Sequence, residues 1–287
     1  TIIKKMKFSV NQQDLQQALS YCQGVIEKRS TLPILSNILL NAHNSKLILT
    51  ATDLDLIFIH HINNIEVVEE GKTTTTSSIM YDIVRKISSG KKINLTLNDK
   101  NKLHLESDNS VFNLNCMSHS EYPVTDENFN HNEFSIKSKQ LLKLLNKCKF
   151  SVSNDETRHY LSGIYLHQTE VDEKKYLTAV ATDSHRMSIS KIRLEKQIDF
   201  EPIILPKKTI FQLCAILDNY DGEVKISNMK SKIKFELSNS ILISKLIDGK
   251  FPNYIQVIPK NNQKKLEIDL KLFLNSVDRV ASVSLDK

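Results

Sequence analysis

The chain has 287 residues, 40% of them hydrophobic and 25% charged, which is too apolar for a disordered chain and enough for about two domains or one large barrel. Its 39 basic and 33 acidic side chains leave a formal net charge of +6. No run approaches the ~18 apolar residues of a membrane helix, and the start holds no apolar stretch of secretion-signal length. Cys22, Cys116, Cys148 and Cys214 are far apart with no CxxC spacing, a poor metal or disulfide framework that fits a reducing cytoplasm. Gly71-Lys72-Thr73 imitates the end of a phosphate loop, but Glu66 stands where that loop requires glycine. Met6 reads as the initiator and residues 1–5 as a leader or vector remnant.

In chain order, alternation predicts a strand at Lys7–Val10, then a helix over 12–23, then strands at Ile34–Asn41 and Lys46–Ala51. A helix over 79–88 follows, and strands at Lys92–Leu97, Lys102–Glu106 and Val111–Met117 close the unit. The outline then starts again. A strand at Glu133–Ile136 leads into a helix over 138–149, strands at Gly163–His167 and Tyr176–Thr182, and a helix over 207–218.

The residues repeat as well. Phe8-Ser9-Val10 returns as Phe134-Ser135-Ile136, and Leu15, Leu19 and Cys22 return as Leu141, Leu145 and Cys148. Ala51-Thr52-Asp53 returns as Ala181-Thr182-Asp183, Lys102-Leu103-His104-Leu105 as Lys232-Ile233-Lys234-Phe235, and Tyr122-Pro123 as Phe251-Pro252. An ordered series at a nearly constant offset indicates duplication of a domain. Ile268, Phe273, Leu274 and Val277 open a third copy. The expected domains are 6–128, 129–258 and a truncated third over 259–287. The fold class is α+β, each domain having two helices packed on antiparallel sheets.

Charge follows the repeat. Residues 6–130 hold 11 basic and 14 acidic side chains, and residues 131–258 hold 20 and 15. On the 138–149 helix Lys139, Lys143 and Lys147 are spaced four apart, opposite Leu141, Leu144, Leu145 and Cys148. Lys271, Asn275 and Arg279 take those places in the third copy, and Gln13, Gln17 and Tyr21 in the first. Any surface helix wants a solvated face. Its recurrence on related helices suits contact with a regular polyanion, through phosphates without base reading.

Five segments carry a resemblance: Thr31-Leu32-Pro33-Ile34-Leu35, Ala51-Thr52-Asp53-Leu54, Arg158-His159-Tyr160-Leu161, Ala181–Met187 and Ser244–Tyr254. In order and spacing, the chain resembles the bacterial DNA polymerase III β subunit family, the β sliding clamps, from Met6 to its last residue. The resemblance implies tandem clamp domains in a ring that two chains close head-to-tail. Such a ring encircles duplex DNA without sequence preference and tethers the replicative polymerase. It is a non-catalytic subunit of the holoenzyme, in the bacterial cytoplasm at the nucleoid. No catalytic residue, metal, cofactor or membrane is implied. The implied partners are the polymerase III α subunit, the clamp loader, and other polymerases and repair proteins with clamp-binding motifs.

By the same resemblance, partner peptides meet a pocket walled by Arg158, Leu161, Thr182, Ser184, His185, Arg186, Met187, Pro252, Gln256 and Val257. Ser184 replaces a usual glycine and Gln256 a frequent arginine. DNA meets Arg29, His159, Tyr160, Lys208 and Lys250 beside the lysine stripes and Arg279. Ring closure falls to Phe112 and Leu114 against Ser282 and Val283. Two rivals remain: a hydrolase built on His185 and Asp183, and a monomeric peptide-binding scaffold. Three adjacent residues on an extended segment point to alternate faces, which disfavours an Asp183-Ser184-His185 triad. Thr52, Asp53, Thr182 and Asp183 are expected to satisfy buried backbone groups beneath the sheet. Cys22 and Cys148 are expected as core fillers, and His60-His61 and His119 as surface or strand residues.

Overall fold

A computed structural model describes residues 5–27, 31–98, 100–123 and 133–284. The first repeat runs β1 (Met6–Asn11), α1 (Gln12–Gln23), β2 (Asn37–His43), β3 (Lys46–Thr52), β4 (Leu56–Asn63), β5 (Glu66–Glu69), β6 (Gly71–Thr76), α2 (Ser77–Val84), β7 (Lys92–Leu97), β8 (Lys102–Ser107) and β9 (Ser110–Met117). The second runs β10 (Glu133–Lys137), α3 (Ser138–Asn146), β11 (Gly163–Val171), β12 (Lys174–Thr182), β13 (Met187–Arg193), β14 (Ile203–Pro206), α4 (Lys207–Asp218), β15 (Glu223–Asn228), β16 (Lys232–Glu236) and β17 (Ser240–Lys245). Apart from β5, every element of the first repeat has its counterpart, in order, in the second. The duplication expected from the residue offsets is therefore a duplication of fold.

Helix formation follows the apolar spacing. Leu15, Ala18, Leu19 and Cys22 are fully buried along one face of α1, as are Leu141, Leu144 and Leu145 along α3. Three helix ends differ from expectation: α2 starts at Ser77 rather than 79, and α2 and α3 both end early. Beyond Asn146 the bonding tightens, Cys148 N donating to Leu145 O at 3.0 Å, so Cys148 lies in a turn rather than in α3 while staying buried. Beyond Val84 the same tightening, Ile87 N to Val84 O at 3.2 Å, ends α2 before residue 88. Burial pushes the thiol of Cys22 up to about 12 and that of Cys148 up to about 11, which makes both inert packing groups.

Every described strand pair is antiparallel. One sheet of thirteen strands has the order β10-β15-β16-β17-β4-β3-β2-β6-β9-β8-β7-β1-β5, and a second has β13-β12-β11-β14. The large sheet crosses the repeat boundary where β17 pairs with β4, from Ser240 opposite His60 to Ser244 opposite Leu56. The helices cross it too: Gln212 Nε2 on α4 donates to Tyr21 O on α1 at 2.8 Å. A single apolar core runs through both repeats, from Met6 to Leu242. Gly163 sits where β11 approaches β14 so closely that any Cβ would run into the Leu205 carbonyl.

This first compact unit ends at Phe251. The second, from Pro252, holds a 3-10 turn at Tyr254–Val257 and the helix α5 (Leu270–Ala281). Asp269 caps α5, its carboxylate accepting from Leu272 N at 2.9 Å. No helix among the described residues is long and apolar enough to cross a membrane.

Candidate functional site

The paired Thr-Asp segments build the same turn twice. Between β3 and β4, Asp53 Oδ1 accepts from Asp55 N at 3.0 Å and Leu56 N at 2.6 Å, and Thr52 Oγ1 accepts from Leu54 N at 3.0 Å. Between β12 and β13, Asp183 Oδ1 accepts from His185 N at 3.0 Å and Arg186 N at 2.9 Å, and Thr182 Oγ1 accepts from Ser184 N at 3.1 Å. These side chains thus satisfy turn backbone at the strand ends, not groups beneath the sheet as expected. Each turn forces its third residue to positive φ, Leu54 at 80° and Ser184 at 78°. Glycine accepts that conformation freely, so the glycine that the resemblance implies at position 184 would have a backbone cause.

Ser184 also adds a contact that glycine would lack. Arg158 NH1 donates to Ser184 Oγ at 2.7 Å, while Arg158 Nε donates to Asp155 Oδ2 at 2.8 Å. The Thr157 hydroxyl, then the Arg158 side chain, hold the Asp155 carboxyl below its ordinary range. Arg186 Nε donates to Asp183 Oδ2 at 3.0 Å, and its guanidinium lies 5.8 Å from the centre of the Phe150 ring. The backbone N–H of Arg186, ahead of that of His185, holds the Asp183 carboxyl down. Ser184, His185 and Arg186 are therefore exposed at this turn, with Arg158, Thr182 and Met187 half-buried beside them.

Leu161 does not belong to that wall. It is 3% exposed and part of the interior, because the segment before β11 turns it inward. Pro252, Gln256 and Val257 are exposed in the second unit. The hydrolase reading fails on the geometry: the Asp183 carboxylate is engaged by two backbone N–H groups and Arg186, and the Ser184 hydroxyl by Arg158. No group of three or more metal-ligating side chains occurs among the described residues.

The basic positions divide. Lys143 and Lys147 are exposed on and just after α3, but Lys139 Nζ lies 2.6 Å from Asp221 Oδ2. Lys208 departs from expectation. Its ammonium bonds Val25 O at 2.7 Å and the carboxylate of Asp53, so it ties α4 to the first repeat instead of standing open to solvent. His159 Nε2 lies 3.2 Å from Asp248 O, and Tyr160 packs beside Gly249, which joins the loop before β11 to the loop carrying exposed Lys250. Lys271 and Arg279 are exposed on α5, and Arg29 lies outside the described residues.

The strand edges are as telling as the side chains. The outer edge of β17 is taken by β4, but its counterpart β9 touches β6 only at Cys116 and Met117, and residues 110–115 pair on one side alone. The counterpart of β4 is β13, which among the described residues pairs only with β12. Leu114 is 6% exposed, already in the core of its own repeat, and Phe112 is half-buried; the open edge offers backbone and the exposed Val111. Ser282 and Val283 are exposed in the second unit. Phe150 and Phe211, both exposed beside cations, escaped the sequence reading because each looks like an ordinary member of an apolar pattern.

A duplicated chain with helices on extended antiparallel sheets, open strand edges and its polar turns engaged internally defines a repeat-built clamp, a protein that holds other molecules. The family described as DNA polymerase III beta subunit, N-terminal domain, matches residues 6–126, and its central domain matches residues 135–253. The beta sliding clamp of Caulobacter vibrioides is 35% identical over 285 residues, covering 98% of this chain and 76% of that protein. The Escherichia coli K12 clamp is 31% identical over 282 residues, with the same coverage. A crystal structure of the Caulobacter crescentus clamp with PEG bound superposes with a TM-score of 0.93, at 34% identity, covering 99% of this chain and 76% of that one. The Bartonella birtlesii clamp bound to griselimycin gives 0.92, at 34% identity, covering 98% and 76%. The chain belongs to the β subunit family of DNA polymerase III, the β sliding clamps, which are non-catalytic processivity factors.

Proposed function

We propose that the protein works as part of a ring closed around duplex DNA by two head-to-tail chains, and tethers the replicative polymerase to its template. The supporting observation is the joint between repeats, where β17 adds to β4. Among the described residues its two sides recur with an open edge, along residues 110–115 of β9 and along β13. A joint made from two different surfaces propagates head-to-tail, and closes into a ring when its rotation allows. The domains in this reading are 6–128, 129–258 and 259 onward. The β9 edge around Phe112 and Leu114 meets the Ser282–Val283 end of a second chain.

Inside the ring, Lys143, Lys147, Lys250, Lys271 and Arg279, with Arg29, His159 and Tyr160, attract phosphates without reading bases. Lys139 and Lys208 contribute less, being paired already. Extended motifs of the polymerase α subunit, the clamp loader, and other polymerases and repair proteins dock at Arg158, Thr182, Ser184, His185, Arg186 and Met187, and Pro252, Gln256 and Val257 are assigned to the same recognition. The working place is the cytoplasm, at the nucleoid.

Mass measurement across a range of concentrations tests closure. A single dimeric species is expected. A monomer at every concentration, or a ladder of growing oligomers, would contradict it. A clamp-binding peptide is expected to bind the protein, and Arg186→Ala to weaken it at least tenfold by calorimetry; an unchanged affinity would remove the pocket assignment.

A further inference from the structure

One surface feature is absorbed by neither the ring nor the peptide pocket. Phe150 and Phe211 are 57% and 47% exposed, unusual for rings of that size outside a core. Each faces cations. The Arg186 guanidinium lies 5.8 Å from the centre of Phe150. The ammonium of Lys149, the residue next to Phe150, lies 5.6 Å from the centre of Phe211, and that of Lys207 lies 6.0 Å from it. One ring thus faces one cation and the other ring two, with Lys149 and Phe150 adjacent in the chain.

The charge is largely uncompensated. Among the described residues Lys149 has no ion pair, and Lys207 donates to the neutral side chain of Asn154. Only Arg186 has a carboxylate, that of Asp183. Beside Phe211 lies a shallow hollow of about 610 Å³, lined by Gly24, Lys207, Lys208, Phe211, Gln212 and Ala215.

We infer that this track binds a single strand of nucleic acid, with unpaired bases stacking on Phe150 and Phe211 and phosphates drawn by Lys149 and Lys207. An apolar protein partner would cover the rings but leave the ammoniums of Lys149 and Lys207 without a counter-charge. A duplex satisfies the cations equally well and leaves the rings without a partner, because its base faces are already stacked. A single strand satisfies both, and every base has a face to stack. The inference rests on the reading that the protein handles DNA. It adds that an unpaired strand is held at the helix face where α4 begins, apart from the lysine stripe of α3.

Fluorescence anisotropy with a short labelled oligo-dT at low salt, and a duplex of equal length beside it, tests the track. Phe211→Ala and Phe150→Ala are each expected to weaken oligo-dT binding roughly 5- to 100-fold and to leave duplex binding unchanged. Phe211→Tyr is expected to retain the affinity and Phe211→Leu to lose it. Both rings are exposed, so the variants should fold, and an unchanged circular dichroism melt checks this. The inference is overturned if the parent fails to bind oligo-dT, if Phe211→Leu binds as the parent does, or if duplex binding falls in step. The mass measurement reports on the ring separately: a protein that stays monomeric yet loses oligo-dT on Phe211→Ala keeps the track and drops the ring.

Discussion

Leu54 and Ser184 occupy matching turns at matching positive φ, and the strain differs with the side chain. For a bulky residue the left-handed conformation costs about 1–2 kcal/mol, and Leu54 is 44% exposed with little packing to set against it. Leu54→Gly removes that strain and raises the entropy of the unfolded chain, so a net gain of about 0.5–1 kcal/mol is expected. The urea midpoint should rise at constant slope; a midpoint unchanged or lowered would show the turn to be unstrained. At Ser184 the same exchange also removes the hydroxyl that holds Arg158 at 2.7 Å. The turn was legible in sequence only as a recurring Ala-Thr-Asp. That its carboxylates cap backbone N–H groups depends on where the strands end, which the letters do not state. Leu161 and Leu114 were read as surface walls because their motifs matched, but the burial of a leucine depends on packing from distant parts of the chain.

Among the elements, the β4–β17 joint holds the repeats together and carries a half-buried histidine. His60 Nδ1 lies 2.8 Å from Ser240 Oγ across the joint, and its ring stacks on Phe58 at 6.0 Å with Tyr21 edge-on at 6.3 Å. Burial, aided by the charge of His61 and opposed by Asp14, lowers His60 from 6.5 to about 4. The unfolded chain therefore takes up a proton below 6.5 that the folded chain refuses until about 4, and stability falls as pH drops through that window. The loss amounts to as much as about 3 kcal/mol. Thermal melts of His60→Gln should show a shallower fall between pH 6.5 and 4 than the parent; equal slopes would place the acid sensitivity elsewhere. Helices α1 and α4 were legible to the residue, because burial on one face leaves a clear 3.6-residue period. Strand β4 was not delimited, because Leu56–Asn63 is buried on both faces in part and reads as a run without alternation. Its pairing with β17, some 180 residues away, left no local trace. Gly163→Ala should be strongly destabilising, since a methyl there meets backbone that cannot move without parting β11 from β14.

At the scale of the whole molecule, the charge acts through a few uncompensated cations. Each phosphate contact contributes about 0.9 to the slope of log K against log salt for duplex DNA. The double variant Lys143→Gln, Lys147→Gln should lower that slope by roughly 1.8. Lys139→Gln should lower it by less, because Asp221 already neutralises Lys139. Equal effects from all three would mean that the Lys139–Asp221 pair opens when DNA arrives. The duplication itself was legible, because an ordered series of matches keeps one offset across a whole repeat. The open strand edges were not, since an unpaired strand has the same composition as a paired one.

The ring is tested most directly by topology. Protein assembled on nicked circular DNA and then washed at moderate salt should remain bound, and should be lost when the circle is linearised, because weak phosphate contacts let a closed ring slide off an end. Equal retention on circle and line, or equal loss from both, would contradict encirclement.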